Sequence, residues 1–272
     1  MLEKPIDITP LCEDYGDSDL NALKAIVIYV GYLIARVATM TLTSFVLETI
    51  LVHRHTERLD DLSVHEATDL VPPELGMLSS SLGDVVSAII VILMSVYLAK
   101  QSLRKRRTVD AAWVMGRPAD LLQGAILGII AYIVAIIAGI LLSINNNPPS
   151  NSFVSEQLSL HDSIGLPLIV TANAFSFIAS NPIEEMLCRG IVFGGFAKSF
   201  GKSTAAIVST CLFVLIHFPV NSFSDIVTPI VLSVFALHLR MKSKAIGPSI
   251  VLHLSYNFIS LFLLTVGMLM ME

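Results

Sequence analysis

Apolar residues in this chain run in long unbroken stretches rather than on one face of an amphipathic pattern. Crossing about 30 Å of hydrocarbon takes about 20 residues as helix. Stretches on that scale recur at 23–52, 76–99, 121–143, 165–198, 203–219, 224–240 and 246–271. Backbone groups cannot stay unpaired in lipid, so such segments are helices or the strands of a closed barrel. The runs lack the short alternation of barrel strands. The pattern therefore predicts an all-α, polytopic transmembrane helical bundle.

The polar positions between the runs set the expected topology. The first stretch, 1–22, is acidic (Glu3, Asp7, Glu13, Asp14, Asp17, Asp19) and has neither the basic start nor the short apolar run of a signal peptide. The densest basic run is KQSLRKRR at 100–107, followed by Lys198 and Lys202 and by the run of Arg240, Lys242 and Lys244. Threading seven spans puts all three basic regions on one side, which the positive-inside rule makes cytoplasmic. The expectation is a multi-pass protein of the cell membrane, its N-terminus cytoplasmic and its C-terminus outside. The outer loops are then 53–75, 144–152 and 219–224. His53, His55 and His65 fall in the first of these, and solvation explains them better than metal binding. Two Gly-x-x-x-Gly spacings, Gly124/Gly128 and Gly190/Gly194, fit ordinary close packing inside the bundle.

Composition excludes the soluble alternative. The chain has 272 residues, of which 54% are hydrophobic and 14% charged, with a mean hydropathy of +0.75. Soluble domains carry about 25% charged residues, and too few are present here to cover a globule of this size. Lipid must cover much of the surface. The net charge of −5 adds little, because position outweighs sum in a membrane protein. No basic stripe with interleaved aromatics is present, so nucleic acid is not an expected partner. Cys12, Cys188 and Cys211 are an odd set without paired spacing, which suggests neither a disulfide framework nor a metal knuckle.

Ionisable residues inside spans are the informative ones, since each costs about 2.5–3.5 kcal/mol at a helix centre and normally faces a cavity or a partner. Glu184, Glu185 and Arg189 lie in NPIEEMLCRG. Glu185 and Arg189 are spaced i, i+4 with the acid first, the favourable order for an ion pair. Glu184 sits about 100° round the helix and needs a partner elsewhere. His217 follows Phe213 by one turn, and His253 and Asn257 share a helix face at i, i+4. At about 1.5 Å per residue, Glu184 lies roughly 21 Å from Lys198, His217 roughly 22 Å from Lys202, His253 roughly 13 Å from Lys244 and Asn257 roughly 20 Å from it. Four polar residues on three spans therefore share a mid-membrane level and can reach one cavity. Such a carboxylate can serve as general base near neutral pH, a neutral imidazole beside it can share the proton of a water, and a His with an Asn can donate to a developing oxyanion. Base, water and oxyanion donors suit amide hydrolysis without a Ser or Cys nucleophile. Cys188 reads as a packing residue. Arg36, Glu48 and Asp84 read as structural interhelical pairs, and His238 as interfacial.

The Glu-Glu-x-x-x-Arg of Glu184, Glu185 and Arg189, the Phe-x-x-x-His of Phe213 and His217, and the His-x-x-x-Asn of His253 and Asn257 stand in one order. In that order they resemble the CPBP family of intramembrane proteases, which includes the CAAX prenyl endopeptidases and the bacterial Abi proteins. The likeness covers roughly 165–260. It implies a four-helix catalytic core in the C-terminal half of a bundle of about seven to eight spans. The chain then divides into a cytoplasmic acidic segment at 1–22, accessory transmembrane helices at 23–150 and the catalytic core at 151–272. Residue by residue, the resemblance implies Glu184 as the water-activating base assisted by His217, and His253 with Asn257 as the oxyanion site. Glu185 and Arg189 would form a supporting or substrate-binding pair, and Phe213 would shape the pocket. The implied substrate is a membrane-associated peptide or protein, and the reaction needs no cofactor and no metal.

Three other readings use the same residues. A metalloprotease could draw Zn²⁺ ligands from two His and a Glu, but no HExxH run is present. A non-proteolytic membrane scaffold, bacteriocin-immunity or regulatory protein could retain the fold. A transporter could use Glu and His as a proton relay, but it predicts inverted repeats, and none is visible.

Overall fold

The structure is a computed structural model describing residues 20–56, 89, 93, 115–143, 166–217 and 223–270. The elements are α1 (Ala22–Thr56), α2 (Pro118–Ser143), α3 (Leu166–Glu185), a π-helical turn (Met186–Val192), α4 (Phe193–Phe200), α5 (Lys202–Leu215), α6 (Phe223–Ser243) and α7 (Gly247–Leu269). No strand occurs among the described residues, and the fold is all-α. The predicted segment 76–99 with Asp84 is described only at Ile89 and Leu93. The acidic residues of 1–19, the loops 57–75 and 144–152, the basic run 100–107 and the side chains of Glu48, His53 and His55 lie outside the described residues.

Among the described residues, four helices carry windows long and apolar enough to cross a membrane, at Ala22–Thr39, Pro118–Leu141, Ile226–Ser243 and Gly247–Leu269. Leu122, Ile126, Ile133, Ile137 and Phe262 are exposed on them, as lipid-facing positions are. Two predicted segments take a different form. The segment 203–219 becomes α5, only 14 residues, which at about 1.5 Å per residue is near 21 Å and short of the hydrocarbon core. It ends because His217 N–H bonds the Val214 carbonyl at 3.0 Å, a tight closing turn two residues before Pro219. The segment 165–198, expected as one span, is α3 and α4 joined through the π turn. Asn173, Asn181, Glu184 and Glu185 dilute the apolar character of α3.

α7 is packed against α2, α3 and α6, while α4 packs on α5 and α1. Glycine sets the tightest of these contacts. A Cβ on Gly128 would stand 2.5 Å from the Leu252 carbonyl oxygen, and one on Gly124 would collide with the Pro248 carbonyl, so α2 and α7 touch backbone to backbone. In the second predicted pair Gly190 is buried and a Cβ on Gly194 would meet Leu20 at 3.9 Å, while a closer approach falls at Gly195, where a Cβ would lie 2.7 Å from the Ala25 Cβ of α1.

α5 and α6 run antiparallel: Ser233 Oγ donates to Thr210 Oγ1 at 3.0 Å, and Ala205 packs with Leu237. Lys242 Nζ bonds Gln123 Oε1 at 3.0 Å near the start of α2. Backbone N–H of Ala22 bonds Ser199 Oγ at 3.1 Å. The starts of α1, α2 and α5 and the end of α6 thus share one end of the bundle.

The π turn follows Pro182, which lacks an N–H and interrupts the regular ladder of α3. Widening to a π turn re-aims carbonyls outward, and neighbouring helices meet them. The Cys188 carbonyl accepts from Phe193 N–H and from Ser209 Oγ at 2.8 Å. The Arg189 carbonyl accepts from Arg240 Nε at 3.1 Å. Arg240, expected in a basic surface run, is therefore buried at 1% exposure. The surface charge there is carried by Lys242 and Lys244. Cys188 is buried in the apolar core, as its packing role anticipated.

Candidate functional site

The site is built around the last turn of α3, where Asn181, Glu184 and Glu185 are all buried. Adjacent positions on a helix point about 100° apart, so the two carboxylates face different neighbours and form two polar groups.

The first group centres on Glu184. Its Oε2 lies 4.0 Å from Nε2 of His217, and its Oε1 lies 3.5 Å from Nη1 of Arg36 on α1. The side chains of Glu184, Arg36 and His217 are 7%, 22% and 34% exposed. This carboxylate therefore sits where the buried interior meets an open edge. His217 is held in the closing turn of α5 by Nδ1 against the Phe213 carbonyl at 2.8 Å. That contact makes Nδ1 the donor and leaves Nε2 an acceptor, so Nε2 and the Glu184 carboxylate can share a donor placed between them, such as a water.

The second group centres on Glu185 and is closed to solvent. Its Oε1 lies 3.3 Å from Arg189 Nη1, the predicted i, i+4 pair, and 3.2 Å from His253 Nδ1 on α7. Both Glu185 and Arg189 side chains are fully buried. The Arg189 guanidinium stacks on Phe213, with Cζ 3.9 Å from the ring centroid. Among the described residues none accepts a hydrogen bond from it, so the Glu185 charge and the ring face meet its charge. The Phe213 ring also touches His217, with centroids 4.8 Å apart, and His253 at 5.6 Å. Phe213 thereby separates and braces the two groups.

Asn257, one turn after His253, donates from Nδ2 to Asn181 Oδ1 at 3.1 Å. His253 and Asn257 both face α3 from one side of α7, as their spacing implied. Each has its own acceptor there rather than standing as a free donor pair. Among the described residues, no three His, Cys, Asp or Glu side chains gather as metal ligands would.

Sequence reasoning missed two contributors. Asn181 stands in the same NPIEE run, and an Asn before Pro inside an apolar stretch was a signal available for it. Arg36 was expected to make a structural interhelical pair. It does pair between helices, and its partner is Glu184.

Residues 166–259 match the model of a protein family described as type II CAAX prenyl endopeptidase, Rce1-like. The match runs from α3 to the middle of α7 and contains Glu184, Glu185, Arg189, Phe213, His217, His253 and Asn257. The likeness drawn from the motifs therefore holds over that stretch, while Arg36 lies outside it. No curated protein and no solved structure matches the chain.

Proposed function

We propose that the protein is an intramembrane endopeptidase that hydrolyses a peptide bond in a membrane-associated peptide or protein. The observation that carries this reading is the approach of Glu184 Oε2 to His217 Nε2 at 4.0 Å, at the edge of a buried polar site. That distance is too long for a direct hydrogen bond and suits one shared water. In the proposed reaction Glu184 takes a proton from that water, His217 orients it, and the water oxygen attacks the scissile carbonyl. The carbonyl oxygen becomes an oxyanion in the pocket formed by His253 and Asn257, where Asn257 offers the Nδ2 hydrogen not given to Asn181; the C–N bond then breaks as the leaving amine receives the proton from Glu184. The Glu185–Arg189 pair braces His253, and Phe213 shapes the wall between the two groups. No covalent acyl-enzyme is involved.

The bundle sits in the cell membrane with its shared basic end in the cytoplasm and its C-terminus outside. Residues 23–150 add accessory helices to a core at 151–272.

The test compares wild type with Glu184→Gln, each purified in detergent. Both are offered a panel of internally quenched peptides, prenylated C-terminal tails and transmembrane segments alike, with products identified by mass spectrometry. Cleavage by wild type that is lost in Glu184→Gln and survives exhaustive chelation supports the proposal. Chelation-sensitive cleavage would favour a metalloprotease. Equal behaviour of the two proteins would favour a scaffold, immunity or regulatory role.

A further inference from the structure

α1 buries one face through Ala25, Ile28, Tyr29 and Tyr32, and presents Leu23, Val27, Val30, Ile34 and Val37 outward. Arg36 follows Tyr32 by four residues and Tyr29 by seven, which continues the inner face. The helix is tied down along that face. Near its start, the Ala22 N–H to Ser199 Oγ bond and the Gly195 contact fix it to α4. Two turns before Arg36, Tyr29 Oη donates to the Leu212 carbonyl of α5 at 2.7 Å. α1 is therefore tied to α4 and to α5, the helix that carries Phe213 and leads into His217, before it delivers its cation. Arg36 then meets Oε1 of Glu184, the oxygen that does not face His217.

We infer that Arg36 is a positioning residue for Glu184: its guanidinium holds Oε1 and so turns Oε2 toward His217, making α1 part of the machinery. A carboxylate is free to rotate about its last torsion, and that torsion has broad minima. A cation on one oxygen removes this freedom and offsets the cost of a charge in a water-poor setting. Misaligning a reacting group by about 1 Å costs on the order of 100-fold in rate. The inference rests on the protease reading above and deepens it, since the stretch that matches the family model lacks this residue.

The experiment uses the full chain in detergent and whichever panel peptide the wild type cleaves. Arg36→Gln and Arg36→Met remove the charge, the second keeping the aliphatic stem, and Arg36→Lys keeps a cation. Melting temperature identifies which charge-free variant is folded, and that variant carries the test. Support is a fall in kcat of about 10- to 100-fold with KM within about twofold, partly restored in Arg36→Lys. A folded charge-free variant with wild-type kcat overturns the role of Arg36 while leaving the protease reading intact. Cleavage of no panel peptide by wild type, or equal cleavage by Glu184→Gln, overturns both.

Discussion

Glu185 and His253 are 68 residues apart in sequence, yet His253 Nδ1 lies 3.2 Å from Glu185 Oε1 with both side chains closed to solvent. That contact joins α7 to α3 inside the membrane bundle and orients the imidazole from behind. Glu184, next to Glu185, faces His217 of another helix at 4.0 Å, so two consecutive glutamates face two different histidines and only Glu185 bonds its own directly.

His217 is expected to matter for rate more than for stability, because it is half-exposed and its Nδ1 bond is to a carbonyl of its own helix. A His217→Gln substitution should lower kcat by about 100-fold or more and leave the melting temperature within a few degrees. Steady-state kinetics beside thermal unfolding will check this, and an unchanged kcat would remove His217 from the mechanism.

The buried pair should behave in the opposite way. Arg189→Met leaves Glu185 without its cation at 3.3 Å, and stripping one partner of a buried pair costs about 3–5 kcal/mol. Replacing both, as Glu185→Gln with Arg189→Met, should be milder than the single change. Unfolding in detergent measures the ordering, and a double variant less stable than Arg189→Met would contradict it.

The π turn depends on bonds from outside its own helix. Ser209→Ala removes the 2.8 Å bond to the Cys188 carbonyl, and a lost buried hydrogen bond costs about 1–3 kcal/mol when its partner is left unmet. Arg240→Met removes the bond to the Arg189 carbonyl and should cost at least as much. Surface lysines nearby serve as controls: Lys244→Gln should change little. Equal effects at 240 and 244 would mean that Arg240 is only a surface charge.

Glycine substitutions separate contact from composition. Gly128→Ala puts a methyl 2.5 Å from the Leu252 carbonyl and 2.8 Å from the Ser255 Cβ, whereas Gly139→Ala on the same helix meets nothing within 4 Å. Overpacking of this kind costs about 1–3 kcal/mol. The first variant should therefore lose stability and the second should not, as read from melting temperatures in detergent.

Much of the site was legible because helix geometry is local. The spacing of Glu185 and Arg189 already implied their pair, and that of His253 and Asn257 implied a shared face. Depth along each helix could be counted from the basic residues. Arg240 shows where such counting fails: beside Lys242 and Lys244 it reads as surface charge, while the π turn offers it a carbonyl inside. The same holds for α5, whose apolar run looked long enough to span until its closing turn shortened it.

From sequence alone came a membrane-embedded helical chain, a small set of costly polar side chains within it, and the pairs made within one turn of a single helix. Tertiary structure decided which helix each remaining side chain faces. Arg36 meets Glu184, His253 meets Glu185, Asn257 meets Asn181, and Arg240 meets the Arg189 carbonyl. The reason is that rise and rotation along one helix follow from backbone hydrogen bonding. The rotation of one helix against another follows instead from close contacts such as those at Gly124, Gly128 and Gly195, which exist only once the helices are assembled.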